Sequence, residues 1–141
     1  MSYLQTISEV EAAANLVNPN GRFDHGRVVD ASQAFKGAFP LIYLYNMNID
    51  IPSPGSPEFI DDNIMLLGFW FQDKPASTTA ERRALIAQAD TLVRAFLGQL
   101  VSNKLIRIVG KVRAEPQYQM YNGTVSGMAI RFTYQNFAPC L

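Results

Sequence analysis

Apolar and polar positions follow one another along this chain with two different periods. Over residues 2–17, Tyr3, Ile7, Val10, Ala14 and Val17 recur in steps of four and three, which places them on one helical face. Ser2 with Gln5 has the form of a capping box, and Asn18-Pro19 supplies a stop. The segment NPNGRFDHG is turn chemistry leading into a short strand around Arg27–Ala31. FPLIYLY at 39–45 and NIMLLGFWF at 63–71 are apolar on both parities, as expected of strands covered on both faces. Between them NMNIDIPSPGSPEFIDD holds three prolines and a glycine, so 46–62 is an extended loop of a length usually tied to function or mobility.

QDKPAS is a turn, and Thr78 with Glu81 forms a second capping box for a helix over 79–101. Leu85, Ala89, Leu92, Phe96 and Leu100 form its buried stripe, and Asn103 closes it. The last forty residues are β. Ile106, Ile108 and Val112 alternate with Arg107, Val109, Lys111 and Arg113, giving one apolar and one largely basic face. Glu115-Pro116 breaks that strand, Gln117–Met120 alternates again, and Asn122-Gly123 turns the chain. Met128, Ile130, Phe132 and Tyr134 then fill one face of a final strand.

A two-residue Asn-Gly turn pairs Met120 with Val125 and Tyr118 with Gly127, which sets Val125 and Gly127 against the parity that Met128 and Ile130 require. One residue must be absorbed, by a bulge near Ser126-Gly127 or by a longer loop, because a slip would bury Arg131 and expose Phe132. The pattern predicts a single α+β domain over 1–141. A mostly antiparallel sheet of about five strands packs against two helices, with a long loop at 46–62 and a hairpin at 116–126.

At 141 residues and 48% apolar the chain can bury a core of its own. Twelve basic residues balance twelve acidic ones, which argues against a general field for DNA or an anionic membrane but leaves room for a local basic strip. The N-terminus lacks a secretory pattern, no apolar run is long enough for a bilayer, and one cysteine forms no internal disulfide. The expectation is a soluble protein of a reducing compartment, with no cofactor and no metal.

Candidate chemistry is thin. Ser126 lies in G-T-V-S-G, not in the G-x-S-x-G spacing of a nucleophile elbow, and reads as a backbone device. His25, beside Asp24, reads as a turn or surface histidine, and Cys140 as a small anchor with no base beside it. Glu58, Asp61 and Asp62 lack the ordered spacing of a calcium loop. Asn122-Gly123-Thr124 reads as a turn, and Phe69, Trp70 and Phe71 as core. The basic face of Arg107, Lys111 and Arg113 is the best functional hint, and it suits an acidic protein surface better than a nucleic acid.

Several features together resemble the small α+β tail terminator or tail-completion proteins of tailed bacteriophages. They are the N-terminal helix, FPLIYLY, an apolar strand followed by a capped helix ending AFLGQL, and IRIVGKVRAEPQYQMYNGTVSGMAIRFTY closed by FAPC. The resemblance implies a virion structural protein assembled in the host cytoplasm. Copies of it form a ring, commonly a hexamer, that ends the tail tube and joins it to neck or connector proteins, without catalysis, cofactor, membrane or sequence-specific nucleic-acid binding. Under that reading Asp61, Asp62, Lys111, Arg113, Gln117, Gln119 and Asn122 are candidate subunit contacts, chosen by expected exposure. Two alternatives remain: another neck or stopper ring, and a small ligand-binding domain or enzyme with a pocket lined by Tyr43, Tyr45, Trp70 and the loop.

Overall fold

The N-terminal periodicity folds as helix α1, Tyr3–Val17, which buries Thr6, Val10, Ala13 and Ala14. Ile7 and Val17 pack at the margin of the core, whereas Tyr3 stays 39% exposed. The computed structural model describes residues 3–27, 37–45, 47, 63–120 and 124–136, so Ser2 and its capping box lie outside the described residues. Helix α2, Thr79–Leu100, opens with the complete capping box: the Thr78 hydroxyl accepts from the Glu81 N–H at 3.1 Å, and the Thr78 N–H donates to the Glu81 carboxylate at 3.4 Å. Its buried stripe is Ala89, Val93, Phe96 and Leu100, while Leu85 and Leu92 are only partly covered. Val101 caps the helix. Asn103 instead ties down the following turn, accepting the Leu105 N–H at 3.0 Å and bonding Glu9 of α1.

Among the described residues five strands make one sheet: β1 (Arg22–Gly26), β2 (Leu41–Tyr45), β3 (Asn63–Gln72), β4 (Ile106–Gln119) and β5 (Val125–Asn136). Their order is β1-β2-β3-β5-β4, antiparallel throughout except for the parallel β1/β2 pair. The fold is α+β, with the two described helices on one side of the sheet.

Two segments depart from expectation. RFDHG is a strand, not a turn: pairing with β2 from Arg22–Leu41 to Gly26–Tyr45 outweighs its poor β propensity. The Pro40 carbonyl anchors its start by accepting from the Arg22 N–H at 3.0 Å and the Asn18 side-chain amide at 2.8 Å. Of the strand expected at Arg27–Ala31, residues 28–31 lie outside the described residues. Likewise Glu115-Pro116 does not break β4, because an outer strand tolerates a proline whose nitrogen faces away from its neighbour.

The register of the last hairpin absorbs one residue, on the strand opposite to the one expected. Met120 bridges Val125 as a two-residue turn requires, yet Gln117, not Tyr118, pairs with Gly127. The extra residue therefore sits at Tyr118–Gln119, where Gln119 adopts a left-handed φ of 47°. Gly127 is a point of close approach instead. A Cβ there would lie 1.8 Å from the Phe69 carbonyl oxygen of β3. A second irregularity opposes four steps of β4, Val109 to Arg113, to two of β5, with Gly110 at φ 74°.

The two sheet faces differ. Against the helices lie Ile42, Leu44, Met65, Leu67, Phe69, Ile130 and Phe132, with Phe69 and Phe96 edge-to-face at 5.4 Å. Tyr134 belongs to this layer; burial first, and neighbouring Tyr3 second, push its phenol up to about 12. On the opposite face, Leu41, Tyr43, Tyr45, Trp70 and Val125 form a second buried cluster, with the Trp70 indole lying over Gly68. Both faces of β2 are thus covered, as its sequence predicts.

Candidate contact face

Among the described residues, the face opposite the two helices is buried over β2 and the adjoining ends of β3 and β5. Beyond Gly68 it opens. Ile64 and Leu66 of β3 are 43% and 36% exposed, which corrects the expectation that 63–71 is covered on both sides. Period-2 alternation carries the face across three strands in rows: Leu66–Arg131–Arg113, then Gly68–Ala129–Glu115. Arg113 and Arg131 stand directly opposite each other on neighbouring strands, an arrangement that like charges disfavour. Arg107 lies on the same parity further along β4, opposite Gln135.

Two adjoining shallow depressions of about 200 Å³ each share Arg113 and Arg131. One is bordered by Ile64, Lys111 and Thr133, the other by Leu66 and Glu115. Lys111, in the irregular stretch between Val109 and Arg113, lines the first of these depressions. Three cations therefore border these depressions with one acid, Glu115, and among the described residues none of the three takes part in an ion pair. Of the expected basic face, Lys111 and Arg113 meet at these depressions together with Arg131, whereas Arg107 borders the groove beside the end of α2. The place of Arg131 opposite Phe132 in the alternation of β5 was readable in the sequence; its neighbours were not.

The other candidate contacts divide. Gln117 lies on the open face beside Gly127 and is partly exposed. Gln119 is engaged inside the chain, its side-chain amide donating to the carbonyls of Lys74 and Pro75 at 3.1 and 3.0 Å. Asp61, Asp62 and Asn122 lie outside the described residues, as do Glu58 and Cys140.

Ser126 is the centre of a polar clasp. Fully buried, its hydroxyl accepts the Gln119 N–H at 2.8 Å and donates to Asp73 at 2.6 Å. Burial pushes the Asp73 carboxyl up. Hydrogen bonds from Ser126, Ser77 and the Lys74 N–H, with the nearby Arg82 guanidinium, together outweigh that and hold it below 3.8. His25 likewise has both ring nitrogens engaged: Nδ1 meets the Leu44 carbonyl and Nε2 the Tyr3 hydroxyl, each at 2.9 Å. Because a carbonyl only accepts, Nδ1 carries a proton, and in the neutral ring Nε2 then accepts from the tyrosine hydroxyl. Both residues join elements of the fold.

Tyr43, Tyr45 and Trp70 are 1%, 6% and 2% exposed and pack on one another, filling space instead of lining a pocket. A groove of about 660 Å³ runs between the end of α2 and the start of β4 over Leu97, Val101, Ile106 and Ile108, with Lys104 and Arg107 at its rim. It brings no acid, histidine, serine or cysteine together among the described residues. Among those residues there is also no group of three potential metal ligands, and no helix is long and apolar enough to cross a membrane. The chain matches no protein-family model, and no curated protein matches it closely enough to count as a relative.

Proposed function

We propose that this chain is a structural subunit of a ring, of the kind that ends or completes a phage tail tube and joins it to the neck. One observation carries the ring reading: a sheet face that is apolar at Ile64 and Leu66 and cationic at Arg113 and Arg131. Exposed apolar side chains favour burial against a partner. Yet the face carries more cation than acid, so meeting its own copy about a two-fold axis would set net positive charge against net positive charge. A contact between copies through this face is therefore heterologous, one surface against a different one, and heterologous contacts that close make rings. The tail setting is taken from the sequence resemblance.

The test is the mass of the purified chain across a concentration series by light scattering, with negative-stain images of the large species. Discrete rings are the expected result. A chain that remains monomeric at the highest attainable concentration overturns the reading.

A further inference from the structure

If the open face meets a different surface of the next copy, that surface must supply acid and apolar groups together. The sequence holds one such stretch. Residues 46–62 contain Asp50, Glu58, Asp61 and Asp62 and no lysine, arginine or histidine, so a third of the chain's twelve acidic residues lies there. Within it Phe59-Ile60-Asp61-Asp62 sets two apolar residues beside two acids. The open face sets Ile64 and Leu66 beside Arg131 and Arg113. The two patterns are complementary in charge and in apolar content.

The described acids elsewhere match less well. Asp73 is held by Ser126, Asp90 by Arg94 and Glu81 by Lys74 and its cap, while Asp24 pairs with Arg22. Glu9 is bonded to Asn103, which leaves Glu11 as a lone acid on α1.

We propose that residues 50–62 of one copy, the acidic part of the 46–62 stretch, seat on the Ile64–Leu66–Arg131–Arg113 face of the next. The inference rests on the ring reading and specifies its interface. Within the chain that stretch leads directly into Asn63, three residues before the Leu66–Arg131–Arg113 row. In an extended strand that is about 10 Å. A nucleic acid would match the cations but would leave Ile64 and Leu66 without an apolar partner, and the chain as a whole carries no net charge.

Two variants test the seat. Arg113→Glu with Arg131→Glu reverses the face, and Asp61→Lys with Asp62→Lys reverses the stretch. Each alone forces like charges together and is expected to weaken self-association about a hundredfold or more. Mixed in equal amounts, the two variants present acid to base at every alternating contact, so assembly returns. An unfolded variant cannot be rescued by mixing, so rescue also shows that both fold. Wild-type assembly should weaken as salt rises.

Three results overturn the proposal while leaving the ring intact. The first is rings indifferent to either reversal. In the second, assembly returns when all four substitutions share one chain but not on mixing, which makes the contact internal. The third is retention of duplex DNA by the wild-type face, lost in the face variant, with unchanged rings. A wild-type chain that never assembles fails the ring reading itself and this interface with it.

Discussion

Replacing Ser126 with alanine is the sharpest test of the polar clasp at the end of the sheet. The serine is fully buried and its hydroxyl serves two partners, the Gln119 N–H at 2.8 Å and the Asp73 carboxylate at 2.6 Å. Alanine leaves the Gln119 N–H without an acceptor in a partly buried bulge, which costs about 1–3 kcal/mol. Asp73 loses a charge-assisted bond, but its partial exposure lets water replace some of it, so we expect a total near 2–3 kcal/mol. With an unfolding entropy of roughly 2.1 cal/mol/K per residue, that lowers the melting temperature of a chain this size by about 7–10 °C.

The pH dependence has a definite sign. The Asp73 carboxyl lies lower in the folded chain than its ordinary 3.8, so its contribution is complete above that value and is lost as pH falls through the folded value. Ser126→Ala raises the folded value back toward 3.8. The gap between wild type and variant in urea titrations should therefore be widest above about pH 5 and narrow on acidification. A double-mutant cycle with Asp73→Asn should show coupling of about 1 kcal/mol. A loss below about 0.5 kcal/mol with additive double mutants would refute the clasp.

Gly127→Ala places a Cβ 1.8 Å from the Phe69 carbonyl oxygen, backbone against backbone in a paired ladder. It should cost about 3 kcal/mol or more in urea titration, and a change under 1 kcal/mol would show that β3 and β5 separate freely. Phe96→Ala removes a fully buried ring packed edge-to-face on Phe69 and should cost about 3–5 kcal/mol by the same measurement. Arg131→Gln has the opposite sign: relieving the Arg113–Arg131 opposition should stabilise the isolated chain by about 0.2–1 kcal/mol while weakening self-association. Loss of stability together with unchanged association would show that the pair is structural.

Where local chemistry decides the outcome, the sequence was readable. Thr78 and Glu81 cap α2 through contacts three residues apart, and LIYLY is buried on both faces as its doubly apolar run requires. β1 was not readable, because RFDHG becomes a strand only through a parallel neighbour nineteen positions away, from Arg22 to Leu41. The hairpin was half readable. Parity asked for one absorbed residue, with glycine the usual place for it, but β5 alternates unbroken because Val125 packs on the face opposite to Met128 and Ile130. The structure uses Gln119, whose backbone N–H and side-chain amide both find partners in the left-handed conformation, while Gly127 serves the approach to Phe69. The open face was hidden by composition. Ile64 and Leu66 continue an apolar run, and only their pairing with Thr133 and Arg131 shows that this end of β3 lacks a second layer.

That unequal covering is the physical basis of the functional reading. A sheet with helices on one side can leave its other face to water if the face is polar and its charges alternate in sign. Here one half of the face is sealed by aromatic residues, and the other half carries two exposed aliphatic residues and two opposed arginines. Neither feature helps the isolated chain: the aliphatics gain nothing in water, and the arginines repel across the β5–β4 ladder. Both become favourable against one kind of surface, an apolar patch flanked by acid. A partner of that kind buries Ile64 and Leu66 and neutralises Arg113 and Arg131 in one step, so the features that weaken the single copy are the ones that strengthen the contact.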